Sequence, residues 1–186
     1  MISSSTCSNT TMKKYCIEAN NKYTKFHYFW TEESIFSQWY KRSMKVDGIT
    51  YSCCEQYMMH QKAKLFGDDQ VAKQILTCTS QKSMKALGRK VQNFSDQVWE
   101  ANRERIVYEG NYAKFTQHDD LRRKLLENAD CEYVEASPYD GIWGIKLKED
   151  DPRAKKRETW HGLNLLGRIL TQLRDDLIQE AESAKQ

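Results

Sequence analysis

The sequence predicts an α+β domain, predominantly α-helical, with a small antiparallel β element and a single core. Three observations carry this. Apolar residues recur at helical spacing in several separate segments, most plainly at Leu166, Ile169, Leu170, Leu173 and Leu177. Asp47-Gly48 stands between Val46 and Ile49 in the form of a hairpin turn, whose positive φ both residues accept. The 186 residues are 39% apolar and 11% aromatic, enough to bury a core without disulfides.

The elements follow in order. Residues 1–22 are polar, rich in Ser, Thr, Asn and Lys, and read as a mobile tail ahead of one domain over 23–186. Phe26 to Trp30 reads as a strand, Ser34 to Tyr40 as an aromatic loop, and Met44 to Tyr51 as the hairpin. Ser52-Cys53-Cys54-Glu55 has the form of a capping box opening a helix to about Leu65. Gly67-Asp68 stops that helix and starts another carrying Val71, Ile75 and Leu76. Ser80 to Leu87, closed by Gly88, then Asp96 to Phe115 and His118 to Glu127, read as helices. Tyr133 to Ala136 is a strand, Ser137 to Gly144 a loop, and Ile145 to Leu147 a last strand. Residues 149–158 are nearly all charged and contain Pro152, the pattern of an exposed loop, and the final helix starts near Asn164.

Charge and composition exclude several classes. The formal charge is +3, and the first 25 residues account for it, so the body is neutral and not a strongly basic nucleic-acid binder. No apolar run is long enough to span a membrane, and the N-terminus lacks the apolar stretch of a secretory signal. An intracellular location, cytoplasmic or nuclear, is therefore expected, with Cys7, Cys16, Cys53, Cys54, Cys78 and Cys131 as free thiols. No C-x-x-C pair occurs and the four histidines are scattered, so no metal site is expected. G-x-G-x-x-G, the P-loop, G-x-S-x-G and H-E-x-x-H are all absent, and no cofactor or obligate protein partner is implied.

Five constellations can carry chemistry, each with a structural alternative. Glu55 and Lys62 lie seven apart on one helix, with Met58 and Met59 between them. They share a face with Cα atoms about 10 Å apart, so their side chains can converge on a ligand. Otherwise Glu55 completes the capping box and Lys62 is solvated. Phe36, Trp39 and Tyr40 can stack on a base, or fill the core. Arg89, directly after Gly88, can fork onto a phosphate or answer a helix C-terminus. Asp140 lies in a loop bounded by Pro138, Gly141 and Gly144, as a positioned acid or a plain Asx turn. Gly162 and Asn164 can offer helix-start N–H groups to an anion, or Asn164 simply caps the helix.

Taken in order, these segments resemble one family. They run Phe36-Ser37-x-Trp39-Tyr40, Asp47-Gly48-Ile49-x-Tyr51, Glu55-Gln56-Tyr57-Met58-Met59-x-Gln61-Lys62-Ala63 and Leu87-Gly88-Arg89-x-Val91, then Trp99 and Lys114-Phe115. They end with Glu135-Ala136-Ser137-Pro138-x-Asp140-x-x-Trp143-Gly144 and Trp160-x-Gly162-x-Asn164-x-Leu166-Gly167. Over about residues 26–177 the chain resembles the NADAR family, with Gln38 and Lys146 departing from its usual Asn and Gly. The resemblance implies hydrolysis of a ribose C1′–N bond. Two substrates are implied: ADP-ribose on guanine, with ADP-ribosylated DNA as partner, or phosphorylated ribosylamino-pyrimidine intermediates of riboflavin synthesis. A non-catalytic ADP-ribose or NAD reader is the alternative from another class. Catalytic roles fall on Glu55, Lys62 and Asp140. Substrate binding falls on Phe36, Ser37, Trp39, Tyr57, Arg89, Trp99, Trp143, Gly144 and Asn164.

Overall fold

A computed structural model of the protein describes residues 22–185. The mobile tail expected over residues 1–22 lies outside these, Lys22 apart, as do Cys7 and Cys16. The described chain is α+β and mostly helical, as expected. Four short strands are β1 (Lys25–Phe29), β2 (Met44–Val46), β3 (Ile49–Tyr51) and β4 (Cys131–Glu135). Six helices are α1 (Cys54–Leu65), α2 (Asp69–Thr77), α3 (Gln81–Gly88), α4 (Asp96–Thr116), α5 (Asp119–Leu126) and α6 (Leu165–Ser183).

The strands form two pairs. β2 and β3 make the antiparallel hairpin, with Val46 opposite Ile49 and both Asp47 and Gly48 at positive φ. β1 and β4 pair in parallel, from Lys25 opposite Cys131 to Phe29 opposite Glu135, an addition to the antiparallel element the sequence predicts. A parallel pair must be covered on both faces. On one face Tyr133 and Phe29 meet Phe36, Phe115 and the apolar stripe of α6 from Leu166 to Leu177. On the other, Val134 meets Ile145, Leu147 and Ala154. Helix α6 lies so close to β4 that a Cβ on Gly167 would sit 2.1 Å from the Tyr133 carbonyl oxygen, which only glycine avoids.

Three expectations are corrected. Residues 145–147 are not a strand, because Lys146 takes a left-handed φ of 56° that breaks extension. Residues 149–158 are not simply exposed: short 3-10 turns at Pro152–Lys155 and Arg157–Thr159 bury Ala154, whose carbonyl accepts from Tyr28 Oη and Trp160 Nε1. Ser52 and Glu55 do not form the capping box. The cap residue of α1 is Cys53, so its third helical position is Gln56, and Gln56 Oε1 accepts from Ser52 N and Oγ. The Gln56 amide also donates to the last carbonyls of α2, tying the two helices together. This one-residue shift leaves the Glu55 side chain free of any capping duty.

Candidate active site

Helix α1 is buried on all sides over its first two turns, from Cys54 to His60. Glu55 stands there only 5% exposed, pointing into a cleft of about 220 Å³ lined also by Met58, Met59 and Lys62. Met59 reaches its place because Gly88 is bare: a Cβ there would lie 2.0 Å from its sulfur. Gly88 thus serves close packing of α3 on α1, not a left-handed helix stop.

The loop 34–40 closes over this end of α1. Glu55 N donates to the Gln38 carbonyl at 2.9 Å, and Asn111 holds the Gln38 side chain at 2.9 Å. Lys114, fully buried, donates to the Ser37 carbonyl, and burial lowers its pKa. The loop's backbone is therefore fixed by α4, and Trp39 is held at the cleft wall.

The opposite wall lies beyond the carboxyl ends of β1 and β4. Glu135 ends β4, and its Oε2 is buried with no hydrogen bond from the described residues. Asp140 Oδ1 accepts from the N–H groups of Ile142 and Trp143, both at 2.8 Å, so the Asx turn is real. The same residue still lines the cleft. The turn therefore positions the acid instead of replacing it. A ladder fastens this loop to the start of α6: Leu163 N to Gly141 O, Asn164 N to Gly144 O, Leu165 N to Ile142 O and Leu166 N to Trp143 O. Those helix-start N–H groups are spent, so the anion site expected at Gly162 and Asn164 does not form.

Electrostatically, two acids of the site, Glu55 and Glu135, are held partly protonated. Burial pushes the Glu55 carboxyl up to about 7; nearby Asp140 adds to this and Lys85 opposes it. Burial pushes Glu135 up to about 8, with Asp140 and Glu55 adding and Lys85 opposing. Lys62 has its pKa lowered by burial, and its Nζ lies 4.2 Å from the Phe94 ring centre and 5.5 Å from that of Trp99. Such an ammonium gives up its proton more readily and becomes a nucleophile. Arg89, Lys85 and Lys62 set three cations around the acids. One buried carboxyl mainly protonated at neutral pH beside another near its midpoint is the pairing that general acid and base work requires.

The structure thus brings Glu55, Lys62, Asp140, Trp39, Arg89, Trp99 and Trp143 to one cleft. Ser37 lines a neighbouring cavity. Four expected binding residues lie elsewhere. Phe36 is core, packed on Phe29, Phe115 and Tyr133. Tyr57 lies under Gly110 and bonds Glu109. Gly144 is needed for close approach, since a Cβ there would sit 2.7 Å from the Glu135 carbonyl oxygen. Asn164 is fully buried at a left-handed φ of 52°, its amide bonding Glu135 N and Tyr133 O. Asn164 therefore acts on the site only by fixing the backbone of Glu135. Glu135 and Lys85 are residues the sequence reading missed. The signal for Glu135 was a carboxylate ending a strand, where ligands bind in sheets with parallel strands.

Among the described residues, no group of three or more His, Cys, Asp or Glu side chains is placed to hold a metal ion. No described helix is long and apolar enough to cross a membrane.

Comparison with known proteins agrees with this architecture. The NADAR domain model matches residues 26–178. The chain is 43% identical over 147 residues to N-glycosidase R617 of Acanthamoeba polyphaga mimivirus, covering 76% of this chain and 86% of that one. It is 32% identical over 147 residues to N-glycosidase YbiA of Escherichia coli, covering 79% and 81%. The NMR structure of E. coli YbiA superposes with a TM-score of 0.70 at 28% identity, over 86% of this chain and 88% of that one.

Proposed function

The chain belongs to the NADAR family and is an N-glycosidase of it; within that activity we propose that it cuts the C1′–N bond joining ADP-ribose to guanine. The supporting observation is the pair of buried carboxyls, Glu55 and Glu135, beside a cationic wall of Lys62, Lys85 and Arg89. Three separate cations suit a diphosphate, and Trp99 and Trp143 offer faces for a ring at its far end.

As the C1′–N bond breaks, positive charge grows on the sugar and electron density on the base nitrogen. Glu135, protonated at neutral pH, gives its proton to the departing base. Glu55 as carboxylate stabilises the sugar cation and takes a proton from the attacking water. The water oxygen ends on C1′, and the proton that Glu55 gains returns to Glu135 through solvent. Asp140, with Oδ1 fixed by two N–H groups, turns Oδ2 toward the ribose hydroxyls. Lys62 either holds phosphate or attacks C1′ in place of water, giving a Schiff base with the opened ribose that water then hydrolyses.

One comparative assay tests this: release of free sugar nucleotide from ADP-ribosylated guanine in DNA, against release from a ribosylamino-pyrimidine phosphate. The expected result is faster release from the guanine adduct, with borohydride trapping the protein on ADP-ribose only if Lys62 attacks. Preferential cleavage of the pyrimidine intermediate would overturn the substrate. Retention of ADP-ribosylated DNA without release would identify a reader.

A further inference from the structure

A second cavity, of about 500 Å³, adjoins the first and shares Trp39, Lys85, Glu135 and Asp140 with it. Its own walls differ in kind. The first cavity adds Lys62 and Arg89, whereas the second adds Glu32, Glu33, Trp30 and Tyr139. Charge is thus sorted along the cleft, with Lys62 and Arg89 at one end, Glu32 and Glu33 at the other, and Glu135, Asp140 and Lys85 at the junction. A phosphate is favoured at the first end and repelled at the second. What the acidic end favours is a ring bearing N–H donors.

The aromatic lip points the same way. Trp30 is 40% exposed and Tyr139 83% exposed, and their rings lie 6.2 Å apart. Each follows the carboxyl end of a parallel strand, Trp30 after β1 and Tyr139 beyond β4. Large aromatic rings left this open beside an acid site make stacking platforms. Thr31, next to Trp30, holds a left-handed φ of 71°, a strained state for a β-branched residue. Its hydroxyl donates to Glu33, which keeps that carboxylate ionised by lowering its pKa.

We propose that this second cavity is the leaving-group subsite, taking a planar heteroaromatic base with exocyclic amino groups against Trp30 and Tyr139. The base then lies across Glu135 from the phosphates, on the side where a proton from Glu135 reaches its nitrogen. This assignment rests on the N-glycosidase reading for the identity of the base, but its test reads binding alone. The probes are 9-ethylguanine and 9-ethylhypoxanthine, which lacks the exocyclic amino group. They are followed by ligand-observed NMR with and without saturating ADP-ribose.

The expected result is that 9-ethylguanine binds together with ADP-ribose, and more tightly than 9-ethylhypoxanthine. A Trp30→Ala/Tyr139→Ala double variant should lose about tenfold in affinity for 9-ethylguanine, in line with base–aromatic stacking. Its affinity for ADP-ribose should stay within about twofold, because Trp30 and Tyr139 line only the second cavity. Both substitutions are on exposed side chains, and an unchanged melting temperature checks the fold. Competition between base and ADP-ribose, unaltered base affinity in the double variant, or no base binding at all would each overturn the subsite. A protein that binds both probes as expected yet releases nothing from any ribosylated base would instead overturn the hydrolytic reading.

Discussion

Glu55→Gln is expected to lower kcat by about a thousandfold while leaving a folded protein, the loss typical of removing a general base or charge stabiliser. Shape and hydrogen-bonding reach are kept, and only the ionisable oxygen is lost. The helix start does not depend on Glu55, because Ser52 and Gln56 carry the cap contacts. Glu55 is tied to the fold through its backbone N–H, which bonds Gln38 and survives the substitution. Burial makes the charged carboxylate costly there, so the Gln variant should melt no lower than wild type near pH 8. Activity and melting temperature measured on the same sample check both halves. A loss smaller than about tenfold would remove Glu55 from the chemistry.

Glu135→Gln should cost about a hundredfold or more in kcat, since the departing base loses its proton donor. Its effect on stability should carry a distinct sign. The folded carboxyl titrates near 8, well above its value in an unfolded chain. Between those values the folded state binds more protons, so stability falls as pH rises. The wild-type protein has no penalty from this group below about pH 4 and the full penalty above about pH 8. The Gln variant should therefore gain about 2 kcal/mol over wild type at high pH and nothing at low pH. Denaturant titrations at pH 5 and pH 9 measure this. Equal stability differences at both would mean that Glu135 is not held protonated by burial. The cost is what a site built for acid catalysis imposes on its own fold.

The sequence made most of the fold legible and about half of the cleft. Helices with a clear apolar stripe, such as α6, and the Asp47-Gly48 turn depend on local spacing, which a sequence displays. The parallel pairing of β1 with β4 is set by contacts a hundred residues apart and shows no local pattern. The same division runs through the site. Glu55 and Lys62 converge because a helix fixes what lies seven residues on. Glu135 shows no signal of this kind because a strand residue's side is decided by what packs on the sheet, and the adjacent Tyr133 and Val134 are both fully buried, so no alternation marks a face. Asn164 looked like a cap or an anion site. Its left-handed backbone turns the amide inward, where tertiary contacts with β4 and Glu132 take it up. Phe36 and Tyr57 fill the core beneath the site, the commoner of the two places for an aromatic residue.

The dependence of kcat/KM on pH for the wild-type protein tests the paired-carboxyl account most directly. With Glu55 ionised as base and Glu135 protonated as acid, activity should rise through about pH 7 and fall through about pH 8, as macroscopic values of the coupled pair. The narrow bell would then have its top between these limbs. A rate that stays flat from about pH 5 to pH 9 would contradict catalysis by these two groups.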